Sequence, residues 1–325
     1  MQRRQFCFGA LGAGLMFNRV AWAADDYPSR PVRIVVPYAA GGGPDITVRQ
    51  FGPVLAKTLG QSIVVENKVG AGGVLAAQFV AHSPADGYTT LLGSNSHLIQ
   101  QALQPDLKFD PINDFTPVTR IATSPSVLVV PASSRYKTVD DLIAELRAKP
   151  GKLNYGSGGI GSAAHLCAAT FVKLAKATAM HVPFKGSVEI PISLRRGDTD
   201  FAFPIAGTAI PQVKGGALRA LAVTSREPLP QLPGVPPLHT ILNSELAVQE
   251  FWFGIWLPKD ASPEVVDKLY RTTIDALKDD SLRQLFEAAG TSVTQSDSPA
   301  ADAAFVLSEQ KKWTEIVKLA GASAS

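Results

Sequence analysis

Two glycine clusters carry the chemistry that this sequence offers. The first, Gly41-Gly42-Gly43-Pro44-Asp45, ends an apolar run and opens a helical pattern, and the second, Gly156-Ser157-Gly158-Gly159-Ile160-Gly161-Ser162, does the same in the middle of the chain. Glycines let the backbone turn with positive φ and let a ligand approach it, and the helix behind points free N–H groups and its positive dipole end at that ligand. Each cluster therefore reads as a seat for an anion. Pro44 suits the first helical position, and Asp45 suits the first turn, where it can pair with Arg49 one turn later. A carboxylate beside a bound anion would repel it, so Asp45 reads as a helix-start residue rather than a catalyst. Ser157 and Ser162 add hydroxyls to the second seat. His97 and His165 each follow a candidate loop, residues 93–96 and 154–162, and either can donate to a carboxylate; a satisfied structural histidine is the equal alternative.

Other chemistries fit poorly. Gly156, Gly158 and Gly161 form a G-x-G-x-x-G, but the first acid beyond it is Glu189, too far to hold a ribose. No serine has the G-x-S-x-G elbow, since Tyr155 precedes Ser157 and Leu92 precedes Ser94 by two residues. Lys185-Gly186-Ser187 has the wrong order for a P-loop, and the five histidines show neither helical pairing nor cysteine partners. The sequence calls for no cofactor, no metal and no nucleophile–base pair.

The elements that must position the seats follow a βαβ rhythm. Short β-branched runs over 32–37, 63–66 and 88–92 alternate with helices from Pro44 and from the glycines at 70–73. Residues 127–130 continue the strands, and Thr138 starts a helix that Pro150-Gly151 stops. Strands at 153–155, 181–184, 201–203 and 218–223 repeat the pattern around the second seat, with helices from Ser162 and near Pro191. The pattern predicts mostly parallel sheets covered by helices, an α/β protein. Five prolines between 228 and 237 cannot continue a sheet and mark a loop or a passage between domains. Beyond them lie one aromatic strand, 251–257, and three helices whose starts are Ser262-Pro263, Ser281 with Gln284, and a last one facing inward through Trp313, Ile316 and Val317. Chain ends packed together with the middle third as a second lobe would set the two glycine loops across a cleft. The expected division is 24–124 with 238–325 as one domain and 125–237 as the other.

At 325 residues, with 46% hydrophobic and 18% charged residues, the chain can build two cores and is not a disordered polymer. Residues 1–23 read as a cleavable export signal: Arg3-Arg4, an apolar run too short to span a bilayer, and Ala21-Trp22-Ala23 before the cut. Arg3-Arg4-Gln5-Phe6 gives it a twin-arginine character. Losing Arg3, Arg4 and Arg19 takes the 31 basic residues to 28, equal to the 28 acidic ones. A neutral mature chain offers no general attraction for nucleic acid or an acidic membrane, so any anion must be recognised locally. Cys167 is left without a disulfide partner and reads as a buried, inert thiol.

The ordered set Val35-Val36-Pro37, Gly41-Gly42-Gly43-Pro44-Asp45, Val65-Glu66-Asn67, Gly70-Ala71-Gly72-Gly73, Asp110-Pro111 with Asp114-Phe115, and Gly151-Lys152-Leu153-Asn154-Tyr155 resembles the periplasmic solute receptors of tripartite tricarboxylate transporters. Residues 158–166, Val182-Pro183-Phe184-Lys185-Gly186, the run 218–225 and Trp252-Phe253-Gly254 extend the likeness over the whole mature chain. The resemblance implies a two-domain periplasmic-binding-protein fold (Venus flytrap, type II-like) without catalysis. It also implies a small organic carboxylate held between residues 40–45 and 158–162, and membrane transporter subunits as partners. The resulting candidate ligand-binding set is Tyr38, Ala40, Gly41, Gly42, Gly43, Pro44 and Asp45; Ser94, Asn95 and His97; Ser157, Gly158, Ile160, Gly161, Ser162 and His165; and Phe184, Lys185 and Pro204. Pro204 stands where many members carry a polar residue, and it offers neither N–H nor side-chain acceptor, so amino acids are expected to bind poorly. A monomeric periplasmic receptor that binds no nucleic acid and does not itself enter the membrane is the expected product. A solute sensor for a signalling partner and a periplasmic enzyme acting on a carboxylate are the alternatives.

Overall fold

The computed structural model describes residues 27–104 and 106–322. The export signal expected over residues 1–23 lies outside the described residues.

The N-terminal part runs β1 (Val32–Val36), α1 (Gly43–Leu59), β2 (Ile63–Asn67), α2 (Val74–Ala81), β3 (Thr89–Ser94), α3 (Asn95–Leu103) and β4 (Phe115–Pro125). The middle part continues with β5 (Val127–Pro131), α4 (Val139–Ala148), β6 (Asn154–Ser157), α5 (Ala163–Leu174), β7 (Met180–Pro183), α6 (Ile190–Arg196), β8 (Phe201–Ala202), α7 (Ala206–Lys214) and β9 (Leu218–Val223). After the proline-rich stretch come α8 (Leu238–Leu242), β10 (Glu250–Pro258), α9 (Pro263–Ala276), α10 (Asp280–Ala288), β11 (Ser292–Val293) and α11 (Pro299–Ala320). Local chemistry sets several of these limits. Thr138 Oγ1 accepts from the Asp141 N–H at the start of α4, Ser262 caps α9, and Gly60 ends α1 in the left-handed region at φ 77°.

The strands form two sheets, β11-β4-β10-β3-β1-β2 and β7-β6-β8-β5-β9. Both are mixed, which corrects the expectation of mostly parallel sheets. In the first, β1 pairs in parallel with β2 and β3, but β10 runs antiparallel to both β3 and β4. In the second, β6 is parallel to β7 and β8, whereas β5 opposes β8 and β9. An apolar run carries no directional signal, and β5 and β10 are strands entered from the other sheet rather than by a helical crossover. The start of α10 differs too. Asp279, not Ser281, caps it, because the Asp279 carboxylate accepts from the Leu282 N–H at 2.9 Å.

The chain leaves the first sheet at Ser126, between β4 and β5, and returns through Gln249 into β10. These two passages are tied together. Ser126 N–H donates to Thr224 Oγ1 at 2.8 Å, Thr224 Oγ1 donates to the Gln249 carbonyl at 2.6 Å, and Thr224 N–H donates to the Ser126 carbonyl. Two chain passages paired side by side in this way are suited to bending. The core under the first sheet is dense with aromatics. Glu309 on α11 accepts from both Trp252 and Trp313 indoles at 2.8 Å, so a buried carboxylate satisfies two buried donors. Helix α11 packs on α3 and β4 and also reaches α5.

Candidate functional site

A cleft of about 670 Å³ opens between the two sheets, lined by residues of both. Its first wall grows from the end of β1. There the Asp45 carboxylate, 2% exposed, accepts from the Gly41 N–H at 2.8 Å, Arg49 Nε at 2.9 Å and Asn67 Nδ2 at 2.8 Å. Burial alone would raise the Asp45 carboxyl, but the bonds from Arg49, Gly41 and Asn67 hold it below the ordinary value. Asn67 Nδ2 also donates to the Tyr38 carbonyl at 3.0 Å. Asp45 is thus the clamp that shapes the first glycine loop, and it does not line the cleft.

The second wall is the loop between β6 and α5. Gly161 N–H donates to His165 Nδ1 at 3.1 Å, Ser162 N–H donates to the Gly159 carbonyl, and Ser162 Oγ caps α5 by accepting from the His165 N–H at 3.4 Å. Leu166 N–H closes on the Ser162 carbonyl, which leaves the N–H groups of Ala163 and Ala164 at the cleft wall as the free helix-start donors. Because Nδ1 of His165 accepts, the neutral ring carries its proton on Nε2. That ring stacks on His181 at 4.1 Å, and His181 stacks on Tyr155 at 5.0 Å. Burial, with the neighbouring His181 adding to it, pulls His165 down to about 3, and burial pulls His181 down to about 4.

Of the expected site residues, Tyr38, Pro44, Gly158, Ile160, Ser162, Phe184, Lys185 and Pro204 line the cleft. Ala40 and Gly41 are exposed outside its lining, while Gly42, Gly43 and Asp45 are buried behind Pro44. Gly161 and His165 are buried supports of the second loop. Residues 93–96 are not a loop: β3 runs through Ser94 and α3 begins at Asn95. Ser94, Asn95 and His97 are fully buried there, and His97 Nδ1 accepts from the Ser94 N–H at 3.2 Å while its ring lies against Trp256. Burial takes His97 down to about 4, so it serves as a neutral structural group.

Ser157 is likewise not available to a ligand. Its hydroxyl lies 2.7 Å from His181 Nε2, bonds with both N–H and carbonyl of Gly159, and has no exposure. The fold therefore does bring a serine and a histidine together, a pair 24 residues apart that no sequence spacing announced. The pair is sealed off from the cleft.

Sequence reasoning missed Gln100. From α3 its Nε2 donates across the cleft to the Ile160 carbonyl at 2.9 Å, and its Oε1 accepts from Gln104 at 3.1 Å. The amide is wedged between Gly72 and Gly161, at φ 65° and 78°, where an added Cβ would lie 2.1 and 2.2 Å from Nε2. Both glycines are favoured by their positive φ, and an added Cβ would also force the Gln100 amide to move. No pattern in the sequence distinguishes Gln100 from Gln101, although the Gly70–Gly73 cluster beside it was legible. Lys185 is the one charged side chain among the described lining residues. Among the described residues, no group of three His, Cys, Asp or Glu side chains is placed to hold a metal ion.

The model of the tripartite tricarboxylate transporter family receptor matches residues 47–322. The chain belongs to that family. The receptor is 32% identical to the protein BugT of Bordetella pertussis over 306 residues, covering 92% of each chain. A Rhodopseudomonas palustris protein solved with adipate superposes on it with a TM-score of 0.86 at 31% identity, covering 92% of this chain and 99% of the other. MatC from the same organism, solved with bound malate, gives 0.83 at 30% identity over 90% and 100% of the two chains. The receptor thus has the two-domain fold of periplasmic binding proteins.

Proposed function

We propose that this receptor captures a small organic carboxylate in the cleft, outside the cytoplasm, and delivers it to the membrane subunits of a tripartite transporter. The observation that carries the reading is the start of α5, where Ala163 and Ala164 lie at the wall of a cleft with no acidic side chain among its described lining residues. Charge-assisted hydrogen bonds contribute about 1.5–3 kcal/mol each and a helix dipole about 0.3–1 kcal/mol, so the hydrogen bonds set the affinity and the dipole adds to them. The relatives solved with adipate and with malate support the same ligand class. On this reading 24–124 with 238–325 form one domain, 125–237 form the other, and the linked strands at Ser126, Thr224 and Gln249 are the hinge between them. The receptor works as an exported monomer with a cleavable twin-arginine signal, and it does not turn its ligand over, since the Ser157–His181 pair is closed to the cleft.

A thermal-shift screen across mono-, di- and tricarboxylic and aromatic acids tests the reading. A ligand that binds only the folded state raises the apparent stability by about 2.7 kcal/mol at a hundredfold excess over Kd. Some acids in the panel should raise the midpoint and their amides should not; a flat response to every acid would refute the carboxylate assignment.

A further inference from the structure

We propose that the preferred ligand is a monocarboxylate carried on an apolar ring, selected over hydroxylated di- and tricarboxylates. The inference rests on the carboxylate reading and narrows it. The free N–H groups of Ala163 and Ala164, with the Ser162 hydroxyl beside them, suffice for the two oxygens of one carboxylate. Beyond Ser162, the polar side chains of the described lining are Tyr38, Ser96, Gln100, Gln104, Lys185 and Ser187, and the rest is apolar or glycine. Tyr38 and Phe253 meet edge to face at 6.2 Å, and the Tyr38 hydroxyl is already held by Ser94 at 2.7 Å and Ser96 at 2.9 Å, so the residue presents its ring.

On the other side Phe184, Pro204 and Ile205 continue the apolar lining, and the Pro204 carbonyl is taken by the Val127 N–H at 2.9 Å. Gln100 is engaged with Ile160 and Gln104. A ligand hydroxyl or second carboxylate set against these groups would give up water without gaining a partner. Lys185, the one cation among the described lining residues, is exposed, where solvent and salt screen its charge. A ring would instead lie among aromatic and branched side chains in a cleft whose volume falls inside the range of about 300–1,000 Å³ usual for drug-sized ligands.

Calorimetric titration of the purified protein with benzoate, cyclohexanecarboxylate, malate, citrate and benzamide tests this. The ring acids should bind at least about tenfold more tightly than malate and citrate, and benzamide should not bind measurably. Phe184→Ala, checked for folding by circular dichroism, should weaken benzoate about tenfold. Malate or citrate binding as tightly as the ring acids would overturn the inference and leave the carboxylate reading standing. Benzamide matching benzoate, or no acid binding at all, would overturn both.

Discussion

At the scale of single residues, the site depends on groups that never touch a ligand. Asp45 holds the first glycine loop through Gly41, Arg49 and Asn67, and His165 holds the second through Gly161. The Asp45–Arg49 pair was legible because helical spacing places residues four apart on one face. The work of His165 was not, because which ring nitrogen faces which N–H is a property of the fold. These histidines carry a pH signature. His97, His165 and His181 ionise in the unfolded chain near 6.5 and in the fold at about 4, about 3 and about 4. Between those values the unfolded chain binds more protons, so stability is complete above about pH 6.5 and is lost as pH falls toward about 4. Melting midpoints should drop from pH 7 to pH 4.5, and His165→Gln should show a shallower drop. Identical pH slopes for variant and wild type would contradict the buried neutral state of this ring.

At the scale of elements, two helix starts and one helix flank build the cleft. The starts of α1 and α5 could be read from glycine, proline and serine, whose backbone and capping preferences are local. Helix α3 could not, since Ser94 and Asn95 read equally as a loop, and only burial against β10 and α11 decides for a helix. That helix supplies Gln100, the hydrogen bond that joins the two walls. A hydrogen bond formed only when the walls meet is worth about 0.5–1.5 kcal/mol, which shifts an open–closed balance by about two- to tenfold. Gln100→Met, similar in length but without donor or acceptor amide, should weaken ligand affinity by that factor in titration while leaving the ligand-free melting midpoint near that of wild type. Unchanged affinity would remove Gln100 from the closing contact.

At the scale of the whole molecule, two sheets linked by paired chain passages enclose a mostly apolar cleft with the start of α5 at its wall. The βαβ rhythm and the proline-rich return were visible in the chain because they depend on local periodicity and on residues that break it. Strand direction was not, because β5 and β10 owe theirs to passages between sheets at Ser126 and Gln249. The neutral balance of the predicted mature chain leaves recognition of an anion to the start of α5, and that is the central claim. It is tested most directly by a crystal structure of the receptor with an acid that raises its melting midpoint. The account predicts a carboxylate oxygen within hydrogen-bond distance of the Ala163 or Ala164 N–H, with the ligand body between Tyr38 and Phe184. A carboxylate turned toward solvent, or a ligand bound outside the cleft, would contradict it.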